Sequence, residues 1–209
     1  MWYTWLGNNM NIKVVSFDYS SWKHTYVVES NYIDPQPGYN GSKPGCTMYD
    51  NHMNALNFVL SDGWELNENT PLDIHRFLTK DIPFFEDHGN SGVYRKVDCY
   101  IGLEDCPYPY QIHSLMRVWH EKTKYLMDLV YDKQMKAIDC AIVSHHMFEV
   151  IHPFIDGNGR TGRLLLNKVL HELGEDPIII YFDDRMKYYN SIQSFRNEYW
   201  NGKQFELPL

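Results

Sequence analysis

Between Ile151 and Arg163 the chain reads Ile-His-Pro-Phe-Ile-Asp-Gly-Asn-Gly-Arg-Thr-Gly-Arg, and these residue types suit the chemistry of a phosphate group. Gly157 and Gly159 let backbone N–H groups turn toward a ligand with no Cβ in the way. A helix opening behind them would add unpaired N–H groups and the positive end of its dipole, so the loop reads as an anion cradle. Arg160 and Arg163 fall in the first turn of that helix, where the dipole disfavours cations, and an anion between them accounts for both. Asp156 is a hard oxygen donor suited to a Mg²⁺ shared with phosphates. His152, four residues earlier, is a base for a nucleophile. A plain interhelix turn calls for none of this. No Gly-Lys-Ser/Thr follows, so the loop is not a P-loop.

The elements that must position this loop are mostly helices. Tyr49 to Leu60 carries Met53, Leu56 and Leu60 at helical spacing and stops at Ser61-Asp62-Gly63. Thr70-Pro71 reads as an N-cap and first-turn proline, opening a helix through Leu78. Pro109 to Tyr131 and Met135 to Ile151 read as long helices. In the second, Ile138, Ile142, His145 and Phe148 form a buried stripe. A helix from about Gly159 to Leu173 stops at Gly174, and Asp183-Asp184 caps a last one through about Trp200. Gly92 to Gly102 alternates and is β-rich, which predicts a strand or hairpin. The expected fold class is mainly α with one small β element. From Asp34 to Gly45, six of twelve residues are Pro or Gly, which predicts a loop. It divides an N-terminal segment, 1–45, with a short helix at about 22–31, from a core at 46–209.

The chain has 209 residues, long enough for a sizeable core. Its 27 acidic against 19 basic residues give a net charge of −8, which argues against phosphate-backbone binding, so no nucleic-acid partner is expected. No apolar run is long enough to span a bilayer and no secretory leader is visible, so no membrane partner is expected and the expected location is cytoplasmic. Cys46, Cys99, Cys106 and Cys140 form no CxxC pair and read as reduced thiols, although Cys99 and Cys106 could pair across a turn. His145, Glu149 and His152 share a helix face that could hold a transition metal, but the metallopeptidase order is absent and His145 reads as a core histidine. His146 and His171 have no partner evident from the sequence.

The segment from His152 to Arg163 resembles the Fic family signature, His-Pro-Phe-x-(Asp/Glu)-Gly-Asn-Gly-Arg-x-x-Arg, at every specified position. Three further stretches resemble the family: Asn51-His52-Met53-Asn54-Ala55-Leu56, Gly92-Val93-Tyr94-Arg95 with Tyr100-Ile101-Gly102, and Asp184-Arg185-Met186-Lys187-Tyr188-Tyr189. The resemblance implies a Fic-type helical bundle with a β-hairpin flap, and a protein adenylyltransferase that moves AMP from Mg-ATP to a Ser, Thr or Tyr hydroxyl. It implies His152 as the base, Asp156 as the Mg²⁺ ligand, and Gly157, Asn158 and Gly159 as the anion hole. Arg160 would add charge, Arg163 would take the γ-phosphate, and Phe154 would anchor the loop. Tyr188 or Tyr189 would lie against the adenine. Val97, Asp98, Cys99 and Tyr100 would belong to the flap that docks the target by strand addition.

Thr25-Tyr26-Val27-Val28-Glu29-Ser30 resembles the family's inhibitory helix, (Ser/Thr)-x-x-x-Glu-(Gly/Asn), with Ser30 as the departure. Glu29 would then compete with the γ-phosphate for Arg163. A second match, Ser194 to Glu198, offers Glu198 as an alternative brake. The expected partners are a target protein and the chain itself by automodification, and a homodimer is left open. Alternatives are removal of AMP by the same site with Glu29 orienting water, another nucleotide donor, phosphorylation of the target as in the death-on-curing branch, and a non-catalytic nucleotide-binding module. The death-on-curing branch carries Lys at the position of Gly159, so this sequence speaks against it.

Overall fold

The computed structural model describes residues 21–33, 46–101, 104–202 and 204–206. The N-terminal twenty residues and the Pro/Gly loop at 34–45 lie outside them. Among the described residues the body is formed by eight α-helices: α1 (Trp22–Ile33), α2 (Thr47–Val59), α3 (Thr70–Thr79), α4 (Pro83–Glu86), α5 (Ile112–Tyr131), α6 (Ala137–Ile151), α7 (Asn158–Glu172) and α8 (Arg185–Tyr199). Short 3₁₀ turns at Pro109–Gln111 and Phe182–Asp184 lead into α5 and α8. The named strands are β1 (Tyr100–Ile101) and β2 (Glu104–Asp105), an antiparallel pair with Tyr100 opposite Asp105.

The bundle is built around α6. Every residue of α6 except Ile138 is buried, as expected of a helix that is apolar nearly all round. It packs against α5, α7 and α8, and α3 lies between α2 and α7. Trp119, Met147, Phe148, Phe154, Leu164 and Phe195 belong to one continuous core, each fully buried side chain contributing about 1.5–3 kcal/mol. His145 and His146 lie inside this core, bonded to the Tyr188 and Ser191 hydroxyls at 3.0 and 3.1 Å. His171 faces Asp62 at 3.5 Å.

Some helix ends fall where expected, at Trp22, Thr70, Tyr131 and Ile151, and the others lie one to three residues away. The cap of α3 is Asn69, not Thr70, and no capping side-chain bond is made there. The short α4 has too few residues to show a period. Only Tyr100–Ile101 of the described part of Gly92–Gly102 is strand; the residues before it are held by Arg95 instead of a ladder. Since α7 opens at Asn158, Arg160 lies in its first turn and Arg163 in the second.

Candidate functional site

His152 stands where α6 must stop. Pro153 follows it, and the residue before a proline is pushed out of the α region. His152 takes a left-handed conformation, φ 51° and ψ 60°, as the C-cap of α6. That conformation is costly for a residue with a Cβ, and two contacts hold it. Arg95, itself 3% exposed, donates from Nε to the His152 carbonyl at 2.8 Å. The Arg95 N–H donates to the next carbonyl, that of Pro153, at 2.9 Å.

The loop after His152 is latched from both sides. The Asn158 side chain accepts from the Phe154 N–H at 2.8 Å and donates to the Phe154 carbonyl at 2.9 Å. Phe154 is buried, its ring stacked on His75 at 3.8 Å. His75 donates from Nε2 to the Asp156 carbonyl at 3.0 Å, and its Nδ1 accepts from the Gly92 N–H at 3.0 Å. Those two bonds fix the neutral tautomer, and burial lowers the His75 pKa to about 3. Gly157 has φ +79°, a left-handed turn that glycine takes without strain. The turn delivers the chain to the N-terminus of α7 with Gly157, Asn158 and Gly159 at its mouth.

Both arginines are buried, Arg160 at 1% and Arg163 at 2% exposure. Arg160 Nη2 lies 3.4 Å from Asp156 Oδ2. Arg163 reaches the other way, to α1. Its Nε donates to the Ser30 hydroxyl and its Nη2 to the Ser30 carbonyl, both at 2.8 Å, and Nη1 approaches the Tyr188 hydroxyl at 3.4 Å. Glu29 uses its carboxylate elsewhere, accepting from the Phe182 N–H at 2.7 Å. The sequence expectation put Glu29 on Arg163; the structure puts its neighbour there. One residue on a helix is about 100° of rotation, which turns Glu29 toward the segment leading into α8 and Ser30 toward α7. Glu198 is exposed and accepts from the Tyr199 hydroxyl.

Of the tyrosine pair, Tyr188 is 2% exposed. Its hydroxyl lies between His145 and Arg163, so the ring is a support for Arg163 with no open face for a base. Tyr189 is 40% exposed, and its hydroxyl donates to the Ile33 carbonyl at 2.6 Å, tying α8 to the end of α1. The flap residues Val97, Asp98 and Tyr100 are exposed and Cys99 is half-buried. Arg95 governs this region too, donating to the Val97 carbonyl at 2.8 Å and the Pro107 carbonyl at 2.6 Å. A cleft of about 390 Å³ opens beside it, lined by Leu72, Val93, Tyr94, Lys96, Tyr110 and His113.

Among the described residues, no three His, Cys, Asp or Glu side chains gather to hold a metal. Asp156, whose side chain is 24% exposed, is a single oxygen donor beside the turn at Gly157–Gly159. One carboxylate completed by substrate phosphates and water is a donor set that Mg²⁺ takes, so the residues present fit that ion.

The Fic/DOC family model matches residues 65–170, about half of the chain, a span that includes Arg95, His152 and both arginines. The chain belongs to the Fic/DOC family. A stretch of 141 residues is 31% identical to "Protein adenylyltransferase Fic" of Drosophila willistoni, a match covering 68% of this chain and 27% of that protein. The chain therefore spans about a quarter of the length of that curated relative. Its fold is similar to that of a Fic domain containing signaling protein from Bacteroides thetaiotaomicron, with TM-score 0.69 and 20% identity over 85% of this chain and 73% of that one. A Fic-1 fragment from C. elegans is similar with TM-score 0.66 and 21% identity, over 90% of this chain and 61% of that one. Likeness at that identity carries the fold, and this Fic chain shares the helical architecture.

Three residues that organise the site drew no site role from the sequence: His75, Arg95 and Ser30. His52 is a fourth; it pairs with Asn31 at 2.8 Å and ties α2 to α1. Burial, followed by the nearby Arg160 and Arg163 charges, holds His52 well below the usual histidine range. The available signal was slight: an arginine beside a β-rich stretch and a histidine on the apolar face of α3.

Proposed function

We propose that the chain is a protein AMP transferase that moves AMP from Mg-ATP to a hydroxyl side chain of a target protein, held in check by α1. The observation that carries this reading is the placement of His152, at a left-handed cap fixed by Arg95, directly before a phosphate cradle that ends on a buried arginine pair. His152 removes the proton from the target hydroxyl, whose oxygen attacks the α-phosphorus, and pyrophosphate leaves. The N–H groups of Gly157, Asn158 and Gly159 face the phosphates at the positive end of α7, and Arg160 adds charge. Asp156 would hold Mg²⁺, which would supply neutralisation of phosphate charge when bound. Arg163 takes the terminal phosphate. The flap, Val97 to Tyr100, positions the target by strand addition.

The brake works through Arg163. Ser30 occupies the arginine's donors, so a γ-phosphate must displace α1 to reach it. Glu29 holds that end of α1 against Phe182. The similarity to the Drosophila protein adenylyltransferase Fic supports the reaction class. The test is intact-mass spectrometry after incubation with Mg-ATP. Wild type, Glu29→Gly, and Glu29→Gly with His152→Ala are compared. Only Glu29→Gly should gain the mass of an adenylyl group. A gain that survives loss of His152 would overturn the mechanism.

A further inference from the structure

The two cysteines of the flap occupy facing positions. With Tyr100 opposite Asp105 and Ile101 opposite Glu104, the next pair outward is Cys99 and Cys106. The Cys106 N–H donates to the Cys99 carbonyl at 3.1 Å, which continues the pairing outward by one hydrogen bond. Cα atoms in such a pair lie about 5.5 Å apart, within the range of about 4.4–6.8 Å that a disulfide spans. Both thiols are free and half-buried, reachable by a small solute. Their side chains lie on the face of the hairpin opposite Tyr100.

The chemistry of the two sulfurs is unequal. The hydrogen bond from the Cys106 thiol holds Cys99 down at about 7, and the Arg95 charge adds to this against partial burial. The same bond, with burial, pushes Cys106 up. Cys99 is therefore the thiolate that attacks and Cys106 the thiol that resolves. Cys140 differs: it is buried in α6, and burial pushes its thiol up to about 12.

We propose that Cys99 and Cys106 form a reversible dithiol–disulfide couple that closes the flap hairpin into a covalent ring when a small-molecule disulfide is present. Cys99 attacks one sulfur of the oxidant, forming a mixed disulfide and releasing one small thiol. Cys106 then gives its proton to solvent and attacks the Cys99 sulfur, releasing the second small thiol. The protein loses two electrons and two protons, and the oxidant is reduced by the same amount. Pro107 follows Cys106, and its carbonyl is held by Arg95, which also holds His152. The ring thus stiffens the strand whose base shares a clamp with the catalytic loop. Its consequence for target docking rests on the flap role proposed above; the disulfide itself does not.

The experiment treats the reduced chain with glutathione disulfide, alkylates the remaining thiols and locates them by peptide mass spectrometry. The expected wild-type product has lost two hydrogens, with Cys99 and Cys106 protected together and Cys46 alkylated. Cys106→Ser should instead keep a glutathione adduct on Cys99, and adding dithiothreitol should restore both wild-type thiols. Amide exchange from Tyr100 to Cys106 should slow in the oxidised form. Wild type that stays fully alkylatable, or that stops at a glutathione adduct, overturns the couple. Unchanged exchange in the oxidised form overturns the stiffening. Because neither readout uses nucleotide, a failure of AMP transfer would not be mistaken for a failure of this proposal.

Discussion

Ser30 grips Arg163 with its hydroxyl and its backbone carbonyl, across 133 residues of sequence. A charge-assisted hydrogen bond in a buried place contributes about 1.5–3 kcal/mol. Ser30→Ala removes the hydroxyl and leaves the carbonyl. The expected result is a stability loss of about 1–2 kcal/mol together with a rise in self-modification, because α1 then leaves Arg163 more easily. Thermal melting and the adenylyl mass are the readouts. A variant that is less stable yet no more active would show that Ser30 is a structural contact and not part of a brake.

His152 is the second residue whose backbone and side chain separate in a test. Its left-handed φ of 51° favours glycine. His152→Gly should leave stability unchanged or raise it by up to about 1 kcal/mol, since the strain of the Cβ is relieved and glycine's added unfolded-state entropy offsets part of it. Transfer should fall by about 10²–10⁴-fold, the contribution of a general base. Retained activity in a well-folded His152→Gly chain would remove His152 from the mechanism.

Arg95 makes three side-chain bonds to carbonyls, those of His152, Val97 and Pro107. Arg95→Ala leaves those acceptors to other partners and should cost about 3 kcal/mol or more. Arg95→Lys has no planar fork and should rescue little of it. Because Arg95 positions rather than reacts, the lysine variant should lose kcat and target KM together, measured on whatever fraction remains folded.

Gly162 offers a sign test. In an exposed helix Gly→Ala stabilises by about 1 kcal/mol. Here a Cβ would lie 2.0 Å from Glu149 Oε1 and 3.0 Å from atoms of His145 and Phe148. Packing overrules propensity, and Gly162→Ala should destabilise by about 1–3 kcal/mol. A denaturant midpoint at or above wild type would show that α6 and α7 are less closely packed than the structure has them.

The buried histidines set an acid limit. Burial holds His75 and His146 at about 3 in the folded chain, against about 6.5 when unfolded. Between those values the unfolded state binds more protons, so stability is complete above pH 6.5 and falls as pH drops toward 3. Each such histidine contributes a slope of up to about 1.4 kcal/mol per pH unit in that window. His146→Gln should flatten the slope of urea midpoints measured from about pH 7.5 to about pH 4.5. An unchanged slope would mean that His146 is not the group taking up the proton.

Much of the chain was legible before folding because its information is local. The helical period of Ala137–Ile151 and the glycines of the phosphate loop act on neighbours within a few turns. The contiguous run from His152 to Arg163 keeps a histidine, a carboxylate, two glycines and two arginines close along the chain whatever surrounds them. The same locality explains the misses. A four-residue helix, Pro83–Glu86, has no period to read, and the flap's lead-in is fixed by one arginine rather than by alternation.

The sequence by itself determined the chemistry: which groups can take a proton, bind a phosphate or ligate an ion, and that helices carry them. The tertiary structure decided which partner each group faces. Ser30 rather than Glu29 reached Arg163 because one step along α1 is about 100° of turn. Tyr188 went under Arg163 because α8 packs on α6, and His75 bridged Asp156 to Gly92 across 81 and 17 residues. Such contacts join residues far apart in the chain, so their identity depends on how helices pack and not on any spacing within them.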